Sequence, residues 1–417
     1  MSKRKQRKEE KEKVNKISDV KMAYIMYGKK VFIIPIVIAI ILGAIIWGIV
    51  YNARKDNAPQ ETADNQKEQI NYIWGEIKPG KRNTNNFTTV TSSDGIQVPV
   101  PTGYTASSAS DENSVNGGFV IYEGTEAVTD SNKWEAQCNR NQYVWIPIAN
   151  VSDMYWRDQT TGKKYGTTYK FSSSSYSKSS SNKQEPQTTR YDIQSTYLTQ
   201  YLNGMTREDF LMEMEIDFDK MLNSVATYGG FYIGRYETGD LSQATPVVKR
   251  INTDLGNQNW WQMWKKARKL SGTSAGVQMI WGIQWDETLK WLIDKGEKTY
   301  AGVGSNSTSW GNYENNSFTY YTNTSKSTAT KSMNTNKRIP SGAYEGANAN
   351  NIFDMAGNAF DWTLESDGSV TGSGYYRNVR GGSCGTYGSD FPAADRVSSS
   401  SYNRDVNSGL RCSLFIK

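Results

Sequence analysis

Three stretches of the chain carry apolar residues at helical spacing. From Thr206 to Val225, residues Phe210, Met214, Phe218, Met221, Leu222 and Val225 share one face. Thr206 is placed to cap the first turn, with Asp209 three residues on as the return acceptor. Asn259–Gly272 (NWWQMWKKARKLSG) turns Trp260, Trp264, Ala267 and Leu270 inward and has Gly272 as its stop. Trp281–Gly296 (WGIQWDETLKWLIDKG) buries Trp285, Leu289 and Leu292 and ends on Gly296. At this spacing the tryptophan stripes read as core, in preference to a sugar or cofactor platform. Short strands are expected at Val98–Tyr104, Gly117–Gly124 and Asn141–Ile148, and an alternating one at Gly229–Gly239. Polar residues without period fill 160–189, which reads as a mobile Ser-rich surface insertion, and Tyr300–Asn350, which reads as long loops.

One run differs in kind. Val31–Tyr51 (VFIIPIVIAIILGAIIWGIVY) is uncharged and long enough to cross a hydrocarbon core of ~30 Å as a helix. Pro35 lies in its first turn, where a missing donor costs little. Residues 1–30 hold eleven Lys/Arg and four Asp/Glu, a balance of +7 against +6 for the whole chain, so the remainder carries −1. The basic side of a membrane helix stays in the cytoplasm. The expected order is therefore a cytoplasmic tail (1–30), a transmembrane helix (31–51), a polar stalk (52–94) and an extracytoplasmic domain (95–417). A cleaved signal peptide is the rival reading, but the span is long for one and no small-x-small site follows it.

With the tail set aside, no basic field remains to attract nucleic acid. The absence of histidine removes Ser-His-Asp and Cys-His catalysis and every His-bearing zinc or iron site. Cys138, Cys384 and Cys412 lack CxxC spacing. Either Cys384 and Cys412 pair, or all three remain thiols.

The chemistry-bearing motifs crowd the carboxyl end. DMAGNAFD sets Asp354 and Asp361 seven residues apart around a Gly-Asn turn, a pattern that suits a hard cation held by carboxylates and carbonyls, or carboxylates bonded to turn amides. In order, FYIGRYETG, a helix with Trp264, Ala267 and Leu270, the IQWDETLKWL helix, NIFDMAGNAFDWTLE, RNVRGGS and GLRC resemble the formylglycine-generating-enzyme (sulfatase-modifying factor) family over Gly229–Lys417. The resemblance implies an α+β fold with a C-type-lectin-like core and long loops. It also implies structural calcium at Asp354, Gly357, Ala359 and Asp361, the middle two through carbonyls, although Asp361 stands where the family usually has Glu. Family oxidases use two cysteines, three and eight positions after the GGS serine, to bind copper and attack a substrate thiol. Counting from Ser383, those positions are Thr386 and Phe391, and neither side chain can do that chemistry. Fold without its site does not carry activity.

Between the motifs lies a segment of odd alphabet, 384–408. From Gly381 to Gly409 there is no Lys, Glu, Gln, Met or Trp. The Ser, Thr, Tyr, Asp, Asn, Phe, Val and Cys found there can all be encoded by codons ending in a pyrimidine, the residue of adenine-directed mutagenesis at AAC or AAT. This resembles the variable proteins of diversity-generating retroelements. It implies a ligand-binding set of Thr386, Tyr387, Asp390, Phe391, Asp395, Val397, Ser398, Ser399, Ser400, Ser401, Tyr402, Asn403, Asp405, Val406 and Asn407. The frame would be Gly385, Gly388, Pro392, Ala393, Ala394, Arg396, Arg404, Gly409, Leu410 and Arg411, with Pro392 as a turn stop and Arg396 and Arg404 bridging loop carbonyls. Tyr, Ser, Asn and Gly are also what adaptable binding loops use, and an ordinary Ser-rich loop is the plainer alternative. The function expected is a membrane-anchored, non-catalytic surface protein that binds a protein or glycan. A copper oxidase acting on a protein thiol and a structural envelope component are the alternatives.

Overall fold

A computed structural model describes residues 75–181, 185–186, 199–201, 204–366 and 376–417. The expected membrane helix Val31–Tyr51 lies outside them; among the described residues no helix is long and apolar enough to cross a membrane. Residues 71–417 form one unit by their contacts, mixed in helix and sheet as the α+β expectation has it.

In chain order the strands are β1 (Phe87–Thr91), β2 (Gln97–Pro101), β3 (Tyr104–Ala106), β4 (Val120–Glu123), β5 (Gln142–Pro147), β6 (Tyr155–Arg157), β7 (Lys164–Gly166), β8 (Thr168–Phe171) and β9 (Tyr176–Ser179). They continue with β10 (Gly230–Gly234), β11 (Ala275–Met279), β12 (Phe318–Tyr321), β13 (Thr328–Lys331), β14 (Phe360–Ser366), β15 (Tyr376–Arg380), β16 (Arg396–Ser400), β17 (Ser408–Leu410) and β18 (Cys412–Ile416). The helices are α1 (Lys133–Asn139), α2 (Arg207–Tyr228), α3 (Trp260–Arg268), α4 (Gly282–Asp294) and α5 (Tyr300–Gly304). A six-stranded antiparallel sheet runs β11-β18-β10-β5-β4-β3. A four-stranded sheet runs β16-β15-β14-β17, with β14 and β17 parallel.

The helices form where their apolar faces demand cover. α2 begins at Thr206, whose Oγ1 accepts from Asp209 N at 3.1 Å, and buries all six residues of its expected stripe. Asp209 returns the contact differently from a capping box, accepting the Thr206 hydroxyl through Oδ2 at 2.6 Å. α3 starts on a full capping box between Asn259 and Gln262. It ends at Arg268 instead of Gly272, and Leu270 is half-buried. Gly296 adopts φ +74° just past α4, as a helix stop should.

Three expectations need correction. β10 is buried at every position, because α2 covers it and the pocket of Trp145 closes over Gly230, where a Cβ would come within 2.6 Å of the indole. The alternation read into Gly229–Gly239 is therefore a fully buried strand. Part of the stretch 160–189 is packed as well, although 182–184 and 187–189 lie outside the described residues. It forms β7, β8 and β9, buries Tyr165, Tyr169 and Phe171, and ties Tyr169 N to Asp286 Oδ2 at 2.9 Å. The folded unit also starts earlier than Gly95. β1, inside the expected stalk, pairs with β2, and Gly80 N donates to Thr227 Oγ1 at 2.7 Å.

Candidate functional site

The DMAGNAFD loop is built on left-handed backbone at Asn350, Asn351, Asp354, Gly357 and Asn358. Asparagine and glycine tolerate this region best, and a Cβ at Gly357 would meet the Asn312 carbonyl oxygen at 2.4 Å. The asparagine side chains then serve as backbone bridges. Asn351 Nδ2 donates to the carbonyls of Asp111 (2.6 Å) and Gly118 (2.9 Å), and its Oδ1 accepts from Arg235. Asn358 Oδ1 accepts from Ile339 N at 3.0 Å, while its Nδ2 donates to Glu237 Oε2 at 2.5 Å.

At the centre of this loop sits Arg411, fully buried. Its Nε donates to Asp361 Oδ2 at 3.0 Å, and its other nitrogens donate to the carbonyls of Gly234 (2.9 Å), Phe353 (2.8 Å) and Asp354 (3.1 Å). Asp354 Oδ2 accepts from Gly342 N at 2.7 Å. Burial pushes the carboxyls of Asp354 and Asp361 up to about 6 against the pull of Arg411. Burial, and then those two aspartates, drive Glu237 well above the usual carboxylate range. The Oδ1 atoms of Asp354 and Asp361 have no hydrogen-bond partner among the described residues. No group of three or more His, Cys, Asp or Glu is placed to hold a metal ion there or elsewhere among the described residues. Gly357 and Ala359 spend their amides on Gly381 O and Glu237 Oε1. Of the acceptors expected to hold calcium, Arg411 takes Asp361 Oδ2, whereas the Oδ1 atoms of both aspartates and the carbonyls of Gly357 and Ala359 are not among its partners.

A second buried ion cluster anchors the carboxyl-terminal segment. Arg380 Nη2 donates to Asp286 Oδ1 at 2.7 Å and to Ala394 O at 3.0 Å, and its Nε donates to Asp395 O at 2.8 Å. Arg396 bridges Asp286 and Glu365 and donates to Tyr169 O at 2.8 Å, so its expected carbonyl contact is one part of a larger set. Arg404 is exposed. Glu185 caps α4, accepting from Gly282 N and, at 3.0 Å, from Ile283 N.

Burial and the nearby Glu365 carboxylate raise Glu185 to about 8 from 4.5. Because the folded form holds its proton more tightly than the unfolded form, Glu185 favours folding below pH ~4.5 and loses that contribution as pH rises to about 8. The melting temperature should fall across that window, and Glu185→Gln should flatten the fall. An unchanged slope in the variant would assign it to other groups.

Fourteen of the fifteen expected ligand-binding residues keep solvent exposure. Tyr387, Asp390, Ser398, Asn403, Asp405 and Val406 are exposed, Ser401 is buried, and the others are half-buried. Of the frame, Gly388, Pro392, Ala393, Ala394, Gly409, Leu410 and Arg411 are buried. β16 carries Val397, Ser398, Ser399 and Ser400 at the edge of the four-stranded sheet. Tyr402 stacks on Trp261 at 6.5 Å, and Trp260 N donates to Ser401 O at 3.2 Å, so α3 supports this end. Phe360 joins the two halves of the segment, meeting Phe391 edge-on at 5.8 Å and donating its amide to Asn407 O at 2.7 Å. Exposed Tyr376 faces Ser400 across the β15–β16 ladder, adding aromatic area outside the expected set.

The positions matched to the oxidase cysteines do other work. Thr386 closes a turn, with Oγ1 donating to Ser383 O at 2.9 Å, and Phe391 packs on Phe360. All three cysteines are free thiols. Cys384 is buried, its Sγ 3.2 Å from Asn336 Oδ1, and burial raises the thiol to about 11, far from a reactive thiolate.

Sequence reasoning missed Arg411, Glu237, Arg380 and Glu185 as partners of these groups. The GLRC and FYIGRYETG motifs carry two of them in plain view, but nothing in their spacing says which carboxylate they meet.

Residues 290–414, from α4 to β18, match the FGE-sulfatase family, described as a sulfatase-modifying factor enzyme 1-like domain. The match agrees with the motifs and is shorter than the Gly229–Lys417 span over which they run. Comparison with curated proteins gives no match. Among solved structures, CarF is similar at 15% identity and TM-score 0.29, over 45% of this chain and 87% of its own. Treponema denticola variable protein 1 is similar at 16% identity and TM-score 0.29, over 44% of this chain and 84% of its own.

Proposed function

We propose that this chain is a membrane-anchored, non-catalytic surface protein that binds a macromolecular ligand, protein or glycan, through its carboxyl-terminal face. The observation that supports the reading is the split within 384–408: fourteen of the fifteen expected positions keep at least partial exposure, while most of the frame between them is buried. Such a surface can change its side chains without disturbing the fold beneath it. Tyr376, Tyr387 and Val406 supply the apolar contact area, and the Ser, Asn and Asp positions supply hydrogen bonding. Residues 1–30 would lie in the cytoplasm, 31–51 in the membrane and the remainder outside.

The oxidase alternative lacks its thiols at Thr386 and Phe391, and Cys384 is buried and protonated. Randomising Tyr387, Asp390, Asn403, Asp405 and Val406 together should leave stability within about 0.5 kcal/mol per position, the range of ordinary surface changes. Thermal melts of such a library test this. Loss of folding in most members would show that these positions are structural, which fits an envelope component better than a variable face.

A further inference from the structure

Lys164 and Asp219 form a pair unlike the other lysine ion pairs among the described residues. Both side chains are buried, at 2% and 3% exposure, whereas every other Lys–carboxylate pair among the described residues is at least partly open to water. Lys164 lies on β7 inside the Ser-rich stretch, and Asp219 lies on α2. Nζ stands 2.7 Å from Asp219 Oδ2, yet that oxygen has no partner in hydrogen-bond geometry among the described residues. Glu215 sits one helical turn before Asp219 and lines the same small cavity, of ≈ 10 Å³, together with Lys163, Lys164 and Pro186. That is room for about one water.

Taking an ammonium and a carboxylate out of water is costly, so a buried pair tends towards free amine and neutral acid. Burial lowers Lys164 and lifts Asp219 to about 7, in that sense. An amine against an acid at contact distance is also the arrangement in which proximity replaces a high reactant concentration.

We propose that Lys164 and Asp219 condense into an intramolecular amide, with Glu215 carrying the proton. Lys164 Nζ bonds to Asp219 Cγ. Glu215 takes a proton from the nitrogen and delivers one to the departing hydroxyl, the carboxyl C–O bond breaks, and one water leaves. Amine and acid give amide and water, so no oxidant or activating group is required. The bond would tie the Ser-rich stretch covalently to α2, independently of what the carboxyl-terminal face binds.

Intact-mass spectrometry of the purified full chain tests this, followed by a proteolytic peptide map. The expected result is a chain lighter by one water, with the peptides containing Lys164 and Asp219 recovered as one branched species. Lys164→Arg keeps the charge but cannot condense, and should show the full mass. Glu215→Gln leaves both reacting residues in place and should slow bond formation about a hundredfold, the scale of one lost acid–base group. Wild-type protein at full mass, with two separate linear peptides, overturns the proposal. Loss of water that persists in Lys164→Arg overturns it as well, by placing the modification elsewhere. Unslowed closure in Glu215→Gln removes Glu215 from it.

Discussion

Replacing Arg411 by methionine should destabilise the folded domain by about 3–5 kcal/mol, the cost of leaving a buried charge without its partner. The guanidinium is fully buried and serves Asp361 and three backbone carbonyls at once. Methionine fills similar space and satisfies none of them. Arg411→Lys should recover only part of the loss, because a point-like ammonium cannot reproduce a planar fork aimed at four acceptors. Chemical denaturation of the three proteins measures the order. The same series separates arginine from calcium as the counter-ion of this loop. If Arg411 does the work, a chelator leaves the wild-type midpoint where it was. A clear drop on chelation would mean that a divalent ion shares the site and that the unpartnered Oδ1 atoms of Asp354 and Asp361 are its ligands.

Arg380→Met is expected to cost a similar amount, again about 3–5 kcal/mol, but with a different footprint. Arg380 holds Asp286 on α4 and the carbonyls of Ala394 and Asp395. Its loss leaves Asp286 and Glu365 buried with Arg396 as their remaining cation. The strand most directly affected is β16, which pairs with β15 and carries four of the expected ligand-binding residues. Hydrogen exchange should therefore rise first at 392–400, ahead of the six-stranded sheet. Uniform loss of protection would show that the cluster supports the whole core and not this face.

These two clusters mark where sequence reading stops. α2 was legible because its evidence is local: a capping threonine and six apolar residues on one face, all within a single stretch. The Gly296 stop and the strands β4 and β5 were legible for the same reason. The fate of DMAGNAFD was not. Two aspartates around a Gly-Asn turn look the same whether they hold a cation or an arginine, and Arg411, the cation the fold brings to them, lies 50 positions from Asp361. The Ser-rich stretch was misread because its three anchors, Tyr165, Tyr169 and Phe171, are scattered among Ser, Thr and Lys. Composition describes the majority of positions, whereas packing depends on the few that are buried. β1 (FTTVT) was hidden in the expected stalk by its threonines, though threonine is a good strand former.

The candidate face was legible in another way. Its signal lies in which amino acids are missing, and the fold then divides that segment into exposed or half-buried positions and a mostly buried frame. Deep sequencing of the 3′ end of the gene across many isolates of one lineage tests the variable-face reading directly. The predicted result is substitution at the fifteen expected positions from Thr386 to Asn407, concentrated where a nearby template copy beside a reverse-transcriptase gene carries adenine, with Gly388, Pro392, Ala393, Ala394 and Gly409 unchanged. One invariant 3′ sequence in every isolate, with no template nearby, would contradict it.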